Sequence, residues 1–191
     1  MRNRDRTRHG SPRVRRLFIG ALCVPVAVGA MAIGAGGVGA GGGGADRASV
    51  ALVDPSGAPV GFAELVQDGA GRVHVNAHVR GLTPGLHGIH VHNIASCASG
   101  ATAFSGAGSH HNPAGATHGN HAGDLPNLTV NGAGVGHLNA RTDHLTLDDG
   151  PLSVFDANGS ALVIHANPDD LVTDPTGNSG ARIACGVIAA R

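Results

Sequence analysis

The segment formed by residues 85–92, GLHGIHVH, ends in two histidines that are separated by a single valine. Side chains alternate between the two faces of a strand, so we expect His90 and His92 on one face, with Cα atoms about 6.5–7 Å apart. Two imidazoles at this separation can bind one metal ion. Imidazole suits copper, zinc, iron and nickel, so the spacing alone does not select the metal. His87 has the opposite parity and is predicted to be a hydrogen-bonded core residue.

A second concentration of donor side chains lies in residues 93–123, a segment rich in Gly, Ala, Ser, His and Asn, and at its end. The donors here are His110, His111, His118, His121 and Asp124. Zinc takes four N or O ligands in a closed structural site, and an ion would order a loop that has few apolar residues. The alternative is a solvated, histidine-rich loop that binds metal weakly.

One further histidine, His165, ends the apolar segment of residues 161–165. A histidine in that position is more often a hydrogen-bonded core residue than a metal ligand, and the sequence pattern by itself favours the core interpretation.

The formal net charge of zero conceals two oppositely charged parts. Residues 1–45 contain seven Arg and one Asp, a net charge of +6, whereas residues 46–191 contain six Arg, eleven Asp and one Glu, a net charge of −6. The chain has no Lys, Trp or Tyr and only four Phe. An acidic body with few aromatic rings for base stacking excludes nucleic acid as a partner.

The N-terminal part predicts an export signal, because Arg-rich residues 2–16 precede an apolar run over residues 17–33. The sequence RRLFI at residues 15–19 resembles a twin-arginine signal; an ordinary secretory leader or a membrane anchor are the alternatives. Residues 34–45 are predicted to form a flexible Gly/Ala spacer. We therefore divide the chain into residues 1–45, signal and spacer, and residues 46–191, the folded domain. The expected location is periplasmic, cell-envelope or extracellular, with membrane contact only through an uncleaved leader.

Cysteine usage agrees with an oxidising compartment. With Cys23 in the leader, Cys97 and Cys185 remain as a pair, 88 residues apart. A disulfide closing so long a loop would stabilise the fold by about 4–5 kcal/mol at most; two unrelated buried thiols are the alternative.

The folded part predicts an all-β sandwich or barrel, because short alternating segments are separated by Gly, Pro, Asn and Asp turns. No segment carries a convincing helical stripe. The predicted strands are residues 49–53, 60–66, 73–80, 86–92, 125–130, 135–140, 144–147, 161–165 and 182–188.

Over residues 48–190 the chain resembles the Cu,Zn superoxide dismutases of the exported bacterial type. The motifs that carry the resemblance are GLHGIHVH (85–92), HNP after His110, HAGDLPNL (121–128), ALVIHANPDD (161–170) and GNSGARIACGVI (177–188). The resemblance implies an eight-stranded Greek-key sandwich that closes to a flattened barrel with long metal-binding loops, an architecture for which these enzymes are a known example.

The resemblance also implies a role for each donor, assigned residue by residue. The residues that match the copper ligands are His90, His92, His110 and His165. The residues that match the zinc ligands are His110, His118, His121 and Asp124, so that His110 bridges the two metals. Arg182 matches the arginine that attracts and orients the anion, and Asp169 matches the carboxylate that links a copper ligand to a zinc ligand. His87 matches a buried histidine, and Cys97 and Cys185 match the family disulfide.

The function that follows is conversion of superoxide to O₂ and H₂O₂ by alternate reduction and reoxidation of histidine-bound copper, with structural zinc. The alternative is a non-catalytic exported protein that binds or buffers copper; retention of all four matched copper ligands and of Arg182 favours the enzyme. Both monomers and homodimers are compatible with the resemblance.

Two departures from the family pattern concern the loops. Only two residues separate His118 from His121, and the loop between Asp170 and Gly177 is short and lacks Lys and Glu. The first departure lies within the predicted zinc site, where His111, next to His110, is an alternative donor.

Overall fold

The computed structural model describes residues 46–191. The predicted export signal, its twin-arginine sequence, Cys23 and the Gly/Ala spacer lie outside the described residues. Within residues 46–191 the helical structure is a single 3₁₀ turn, Ser105–Ala107, and none of it is long and apolar enough to cross a membrane.

In the described part of the chain, ten strands form one antiparallel sheet. They are β1 Arg47–Val53, β2 Pro59–Gln67, β3 Val73–Arg80, β4 Gly85–His87, β5 Ile89–His92, β6 Leu128–Val130, β7 Val135–Thr142, β8 Ala161–His165, β9 Arg182–Val187 and β10 Ala189–Ala190. Counting β4 and β5 as one interrupted strand and setting aside the two-residue β10 leaves eight strands, as predicted.

The order of the strands makes the sheet a nearly closed barrel. It runs β4-β6-β7-β3-β2-β1-β9-β8-β5, and the two edge strands β4 and β5 follow one another in the chain. β3 and β4 are also consecutive in the chain, but β7 and β6 lie between them in the sheet, which is the crossing connection of a Greek key. The predicted fold class is confirmed.

Alternation of apolar and polar residues places one face of most strands in the core. In β3 the side chains of Val73, Val75, Ala77 and Val79 are buried, whereas those between them face outward. β5 and β8 differ, because every one of their residues is buried. Their inner faces join the core through Ile89, Val91, Leu162 and Ile164. Their outer faces are covered by the long loops, and the histidines lie on this covered outer face.

The predicted strand at residues 86–92 is interrupted at Gly88. Its backbone N–H donates to the carbonyl of Asn167 (2.8 Å), and its own carbonyl accepts from the N–H of His165 (2.8 Å). A Cβ at position 88 would lie 2.8 Å from the side chain of Ser179, so glycine permits the close approach of the loop that follows β8. The interruption lets β4 pair with β6 while β5 pairs with β8.

The prediction of a strand at residues 144–147 was wrong, because these residues form no strand in the structure. Leu145 and Leu147 are buried in the core, which explains their alternation with polar neighbours. Their backbone is bonded differently, however: the N–H of Leu147 donates to the side-chain oxygen of Gln67 (2.6 Å), and Thr146 makes only an isolated bridge to Ser153. The strand predicted from residue 125 begins at Leu128, after Pro126, whose nitrogen has no hydrogen to donate.

Candidate metal centre

The loop that follows β5 returns to pair with β5 twice. Isolated antiparallel bridges join His92 to His110 and His90 to Asp124. Between them, the N–H of Val91 donates to the loop (2.9 Å) and its carbonyl accepts from the loop (2.8 Å). Backbone pairing thus brings two donors from a distant part of the loop beside the two histidines that the strand presents.

Four buried histidines form the first group. They are His90, His92, His110 and His165, and they offer ring nitrogens that all lie within 4.8 Å of one another. The ring centroids of His90 and His110 are 4.0 Å apart, and those of His90 and His165 are 4.9 Å apart. His165 enters the group from β8, the strand that pairs with β5.

One ring nitrogen of each of these histidines is hydrogen-bonded, and the other is buried without a partner. The bonded contacts are His90 Nε2 to Asp169 (2.5 Å), His92 Nδ1 to the Gly108 carbonyl (3.0 Å), His110 Nδ1 to Asp124 (2.8 Å) and His165 Nδ1 to the Gly180 carbonyl (3.1 Å). The unpartnered atoms are His90 Nδ1, His92 Nε2, His110 Nε2 and His165 Nε2. Buried polar atoms without partners are costly, and metal-bound histidines characteristically donate their second N–H to a carbonyl or carboxylate. The donor set therefore fits a metal ion.

Burial keeps two members of this group, His92 and His165, uncharged at neutral pH. Desolvation, followed by the positive charges of His110 and Arg182, lowers the pKa of His92 to about 2. Desolvation, followed by the charge of His90, lowers the pKa of His165 to about 3. Neutral imidazole is the form that binds a metal ion, so the environment prepares the group for binding.

The second group comprises three histidines and a carboxylate. Its members are His110, His118, His121 and Asp124. The Nδ1 atoms of His118 and His121 lie 3.4 and 3.3 Å from the carboxylate oxygens of Asp124. The Nδ1 atoms of His110 and His121 face each other at 3.4 Å. Three ring nitrogens and a carboxylate that converge in this way match a tetrahedral zinc site, in which Nδ1 of His110 would bind without the proton that its hydrogen bond to Asp124 requires. His110 belongs to both groups.

Asp169 connects the two groups. Its carboxylate accepts from His90 Nε2 (2.5 Å) and from His118 Nε2 (2.8 Å) and is fully buried. Burial alone would raise the pKa of Asp169, but the hydrogen bonds from the two histidines outweigh it and lower the pKa well below its usual value. An ionised carboxylate accepts the N–H at Nε2 of both rings, which leaves Nδ1 of each neutral ring free of a proton.

Arg182 lies beside the four-histidine group at the start of β9. Its guanidinium donates to the carbonyls of Phe104 (2.6 Å) and Gly108 (2.5 Å). The Gly108 carbonyl also accepts from His92, so Arg182 and a member of the group share one acceptor. Burial lowers the pKa of Arg182, yet a guanidinium stays charged at neutral pH.

The remaining predicted residues lie around the two groups. His87 is buried, and its ring nitrogens approach the carbonyls of His165 (2.7 Å) and Thr83 (2.8 Å), as expected for a hydrogen-bonded core residue. Cys97 and Cys185 form the predicted disulfide, which is confirmed. His111 is buried, but the structure does not bring it into either group.

The sequence interpretation missed two residues at this site. Asn127 holds the backbone of Asp169 from both sides, because it donates to the carbonyl (2.8 Å) and accepts from the N–H (2.8 Å). Its place in the HAGDLPNL motif was the available signal. Asp174 accepts from the backbone N–H of His118 (2.6 Å), a contact between two loops that no local pattern indicates.

A Greek-key sandwich that carries two adjoining metal-ligand groups defines a two-metal protein. The family model for copper/zinc superoxide dismutase matches residues 60–188, and the chain belongs to this family. The metals of this family are copper and zinc, and its substrate is superoxide.

Individual relatives agree with the family assignment. The chain is 36% identical over 152 residues to Cu-Zn superoxide dismutase 3 of Arabidopsis thaliana, covering 73% of this chain and 88% of the relative. A solved SOD-like protein from Bacillus subtilis superimposes with a TM-score of 0.66 at 36% identity, covering 73% of this chain and 96% of the other. The Cu/Zn superoxide dismutase from Brucella abortus superimposes with a TM-score of 0.63 at 30% identity, covering 74% and 98%.

Proposed function

We propose that the four-histidine group binds copper, that the second group binds zinc, and that the chain converts two superoxide anions and two protons into O₂ and H₂O₂ at the copper group. The observation that carries the proposal is the set of four buried ring nitrogens without partners, one from each of His90, His92, His110 and His165. Copper, when bound, supplies one-electron chemistry by alternating between its cupric and cuprous states.

The protein residues hold the ligands in one orientation. Asp169 and the carbonyls of Gly108 and Gly180 each accept one ring N–H, so three of the histidines present a lone pair without rearrangement. Because these ligands are already oriented, little reorganisation of the protein would accompany a change in the oxidation state of a bound copper ion.

His110 is the proposed proton carrier. Its Nδ1 faces the second group, where Asp124 holds the ring at 2.8 Å, and its buried Nε2 faces the first group. Nε2 cannot bind the metal and a proton at the same time. When it is not a metal ligand, Nε2 would hold a proton where the reduced substrate forms, and His110 would donate it as a general acid. The second group fixes the orientation of the ring while this proton is transferred.

Arg182 is proposed to bind and orient the anion. Arg182 is a cation beside the copper group, and the body of residues 46–191 has a net charge of −6. Superoxide dismutases are standard examples of electrostatic steering, so the attraction itself is a family property. The particular consequence here is dependence on one guanidinium, since the short loop after Asp170 contains no Lys.

The proposed location is outside the cytoplasm. The arginine-rich and apolar pattern of residues 1–33 supports export, and the Cys97–Cys185 disulfide supports an oxidising compartment. Cell fractionation with N-terminal sequencing of the recovered protein tests export and the boundary near residue 45, and membrane recovery would indicate an uncleaved leader. Sedimentation velocity distinguishes a monomer from a homodimer.

The central experiment combines metal analysis with a cyanide-sensitive superoxide-dismutation assay on protein reconstituted with copper and zinc. We expect one copper and one zinc per chain and activity that cyanide abolishes. His165→Ala should lose copper and activity, whereas His144→Ala, at an exposed position, should retain both. Two metals per chain without turnover would refute catalysis and support the copper-buffering alternative.

A further inference from the structure

The proposed zinc group depends on a short loop that rests against a second loop. Only Gly119 and Asn120 separate His118 from His121. Gly119 has φ +85°, and a Cβ at this position would collide with the carbonyl oxygen of Leu171. The loop that carries the zinc ligands is therefore packed directly on the loop that follows Asp169.

Asp174, in that second loop, faces the short loop at two points. Its Oδ1 accepts from the backbone N–H of His118 at 2.6 Å, and the same oxygen lies 3.8 Å from Nε2 of His121. The His121 side chain is almost fully buried, with 6% exposed, whereas 54% of the Asp174 side chain is exposed. The carboxylate thus closes the outer side of the group.

The orientation of His121 gives this contact its significance. Nδ1 of His121 points to Asp124 (3.3 Å) and to Nδ1 of His110 (3.4 Å), so Nδ1 is the atom available to a metal. The ring proton then belongs on Nε2, which points towards Asp174. The orientation is the same as that of His118, which offers Nδ1 to the group while Nε2 faces a carboxylate; the contact of His118 with Asp169 is a hydrogen bond of 2.8 Å, and that of His121 with Asp174 is longer, at 3.8 Å.

We propose that Asp174 is a positioning residue that orients His121 for zinc and compensates for the shortened loop. The proposal rests on the assignment of zinc to the second group. Asp169 supports His118 through a hydrogen bond of 2.8 Å, whereas Asp174 acts on His121 through its charge at 3.8 Å. That charge favours the ring proton at Nε2, away from the ligand atom, and increases the basicity of the ring. One loop therefore supplies the supporting carboxylates of two zinc ligands.

The exposure of the Asp174 side chain sets how much zinc affinity its loss should remove. Loss of a partner that supports a metal-bound histidine lowers metal affinity by roughly 10- to 100-fold. Asp174 is half exposed and lies 3.8 Å from Nε2, so solvent screens the contact and the lower end of the range applies.

The test is Asp174→Asn, because the amide oxygen can still accept from the N–H of His118 while the charge facing His121 is removed. Asp149→Asn removes the same charge from an exposed turn and is the matched control. Zinc affinity is measured by competition with a chromophoric chelator, and cobalt is substituted for zinc to report the ligand field through its visible d–d absorption. Copper affinity is measured in parallel.

We expect Asp174→Asn to bind zinc about tenfold more weakly and to shift the cobalt absorption, with copper affinity changed by less than about threefold. Asp149→Asn should match the unaltered protein in all three measurements. Unchanged zinc affinity and an unchanged cobalt spectrum in Asp174→Asn would overturn the proposal while leaving the zinc assignment intact. Failure of the unaltered protein to bind zinc or cobalt at this group would overturn both.

Discussion

Asp169 is the residue whose replacement tests the architecture of the centre most directly. Its Oδ1 accepts from His118 Nε2 (2.8 Å) and from the backbone N–H of Leu171 (2.6 Å), and its Oδ2 accepts from His90 Nε2 (2.5 Å). In Asp169→Asn the amide oxygen should remain at the Oδ1 position, since two donors point there. The amide NH₂ then faces the Nε2–H of His90, and two hydrogen-bond donors that face each other cannot form a hydrogen bond.

The magnitude follows from these contacts. Replacing a hydrogen bond to a charged acceptor removes about 1.5–3 kcal/mol, and leaving a buried N–H unsatisfied costs about 1–3 kcal/mol. The two contributions together predict that the metal-free protein loses about 3–5 kcal/mol of unfolding free energy. If His90 instead moves its proton to Nδ1, stability is partly restored, but the proton then occupies the atom that binds copper. His118 loses the charge that supports it, so copper and zinc affinities should both fall by about 10- to 100-fold.

Chemical denaturation of the metal-free protein and chelator competition for each metal measure these effects. Asp170→Asn is the matched control, because Asp170 is the exposed next residue and its carboxylate holds only its own loop. The control should keep both affinities within about threefold of the unaltered protein. Metal affinities and stability of Asp169→Asn that equal those of the control would refute the role of Asp169 as the link between the groups.

Three further predictions concern charge, cross-linking and pH. Arg182→Ala should retain copper, but its bimolecular rate with superoxide at low salt should fall about tenfold or more. Added salt should raise the rate of this variant, because the acidic body that remains repels the anion. Stopped-flow decay of superoxide measures both effects, and a full rate at low salt would contradict the role assigned to Arg182. The double variant Cys97→Ser/Cys185→Ser should have an unfolding free energy that is lower by about 4–5 kcal/mol at most, as measured by urea denaturation. A stability equal to that of the unaltered protein would contradict the stabilising role of the disulfide. The metal-free protein should lose stability as pH falls from 6.5 towards 3, because His92 and His165 take up protons in this range only when the chain is unfolded. The two histidines together should lower the unfolding free energy by about 2.7 kcal/mol for each pH unit. Urea midpoints that do not change with pH would refute the argument that burial keeps these rings neutral.

Local pattern predicted much of the barrel and the histidines of β5. The period-2 alternation of a strand is sufficient to place His90 and His92 on one face, and Val73, Val75 and Ala77 in the core. The same alternation misled at residues 144–147, because buried leucines can alternate with polar residues without a neighbouring strand to pair with. Clustering with the loop histidines indicated Asp124, whereas only motif resemblance identified His165 and Asp169 as matching site positions, since both are distant in the chain from β5.

The sequence by itself determined the all-β class, the acidic body and the pair of cysteines, since these follow from composition and from short-range periodicity. Its motifs, through their resemblance to a known family, also gave the donors for two metals. Tertiary structure decided which ring nitrogen of each histidine is free, because that depends on carbonyls and carboxylates supplied by other loops. It also excluded His111 from both groups and set Asp174 against the short zinc loop, since contacts between loops depend on the packing of the whole barrel and leave no repeat in the sequence.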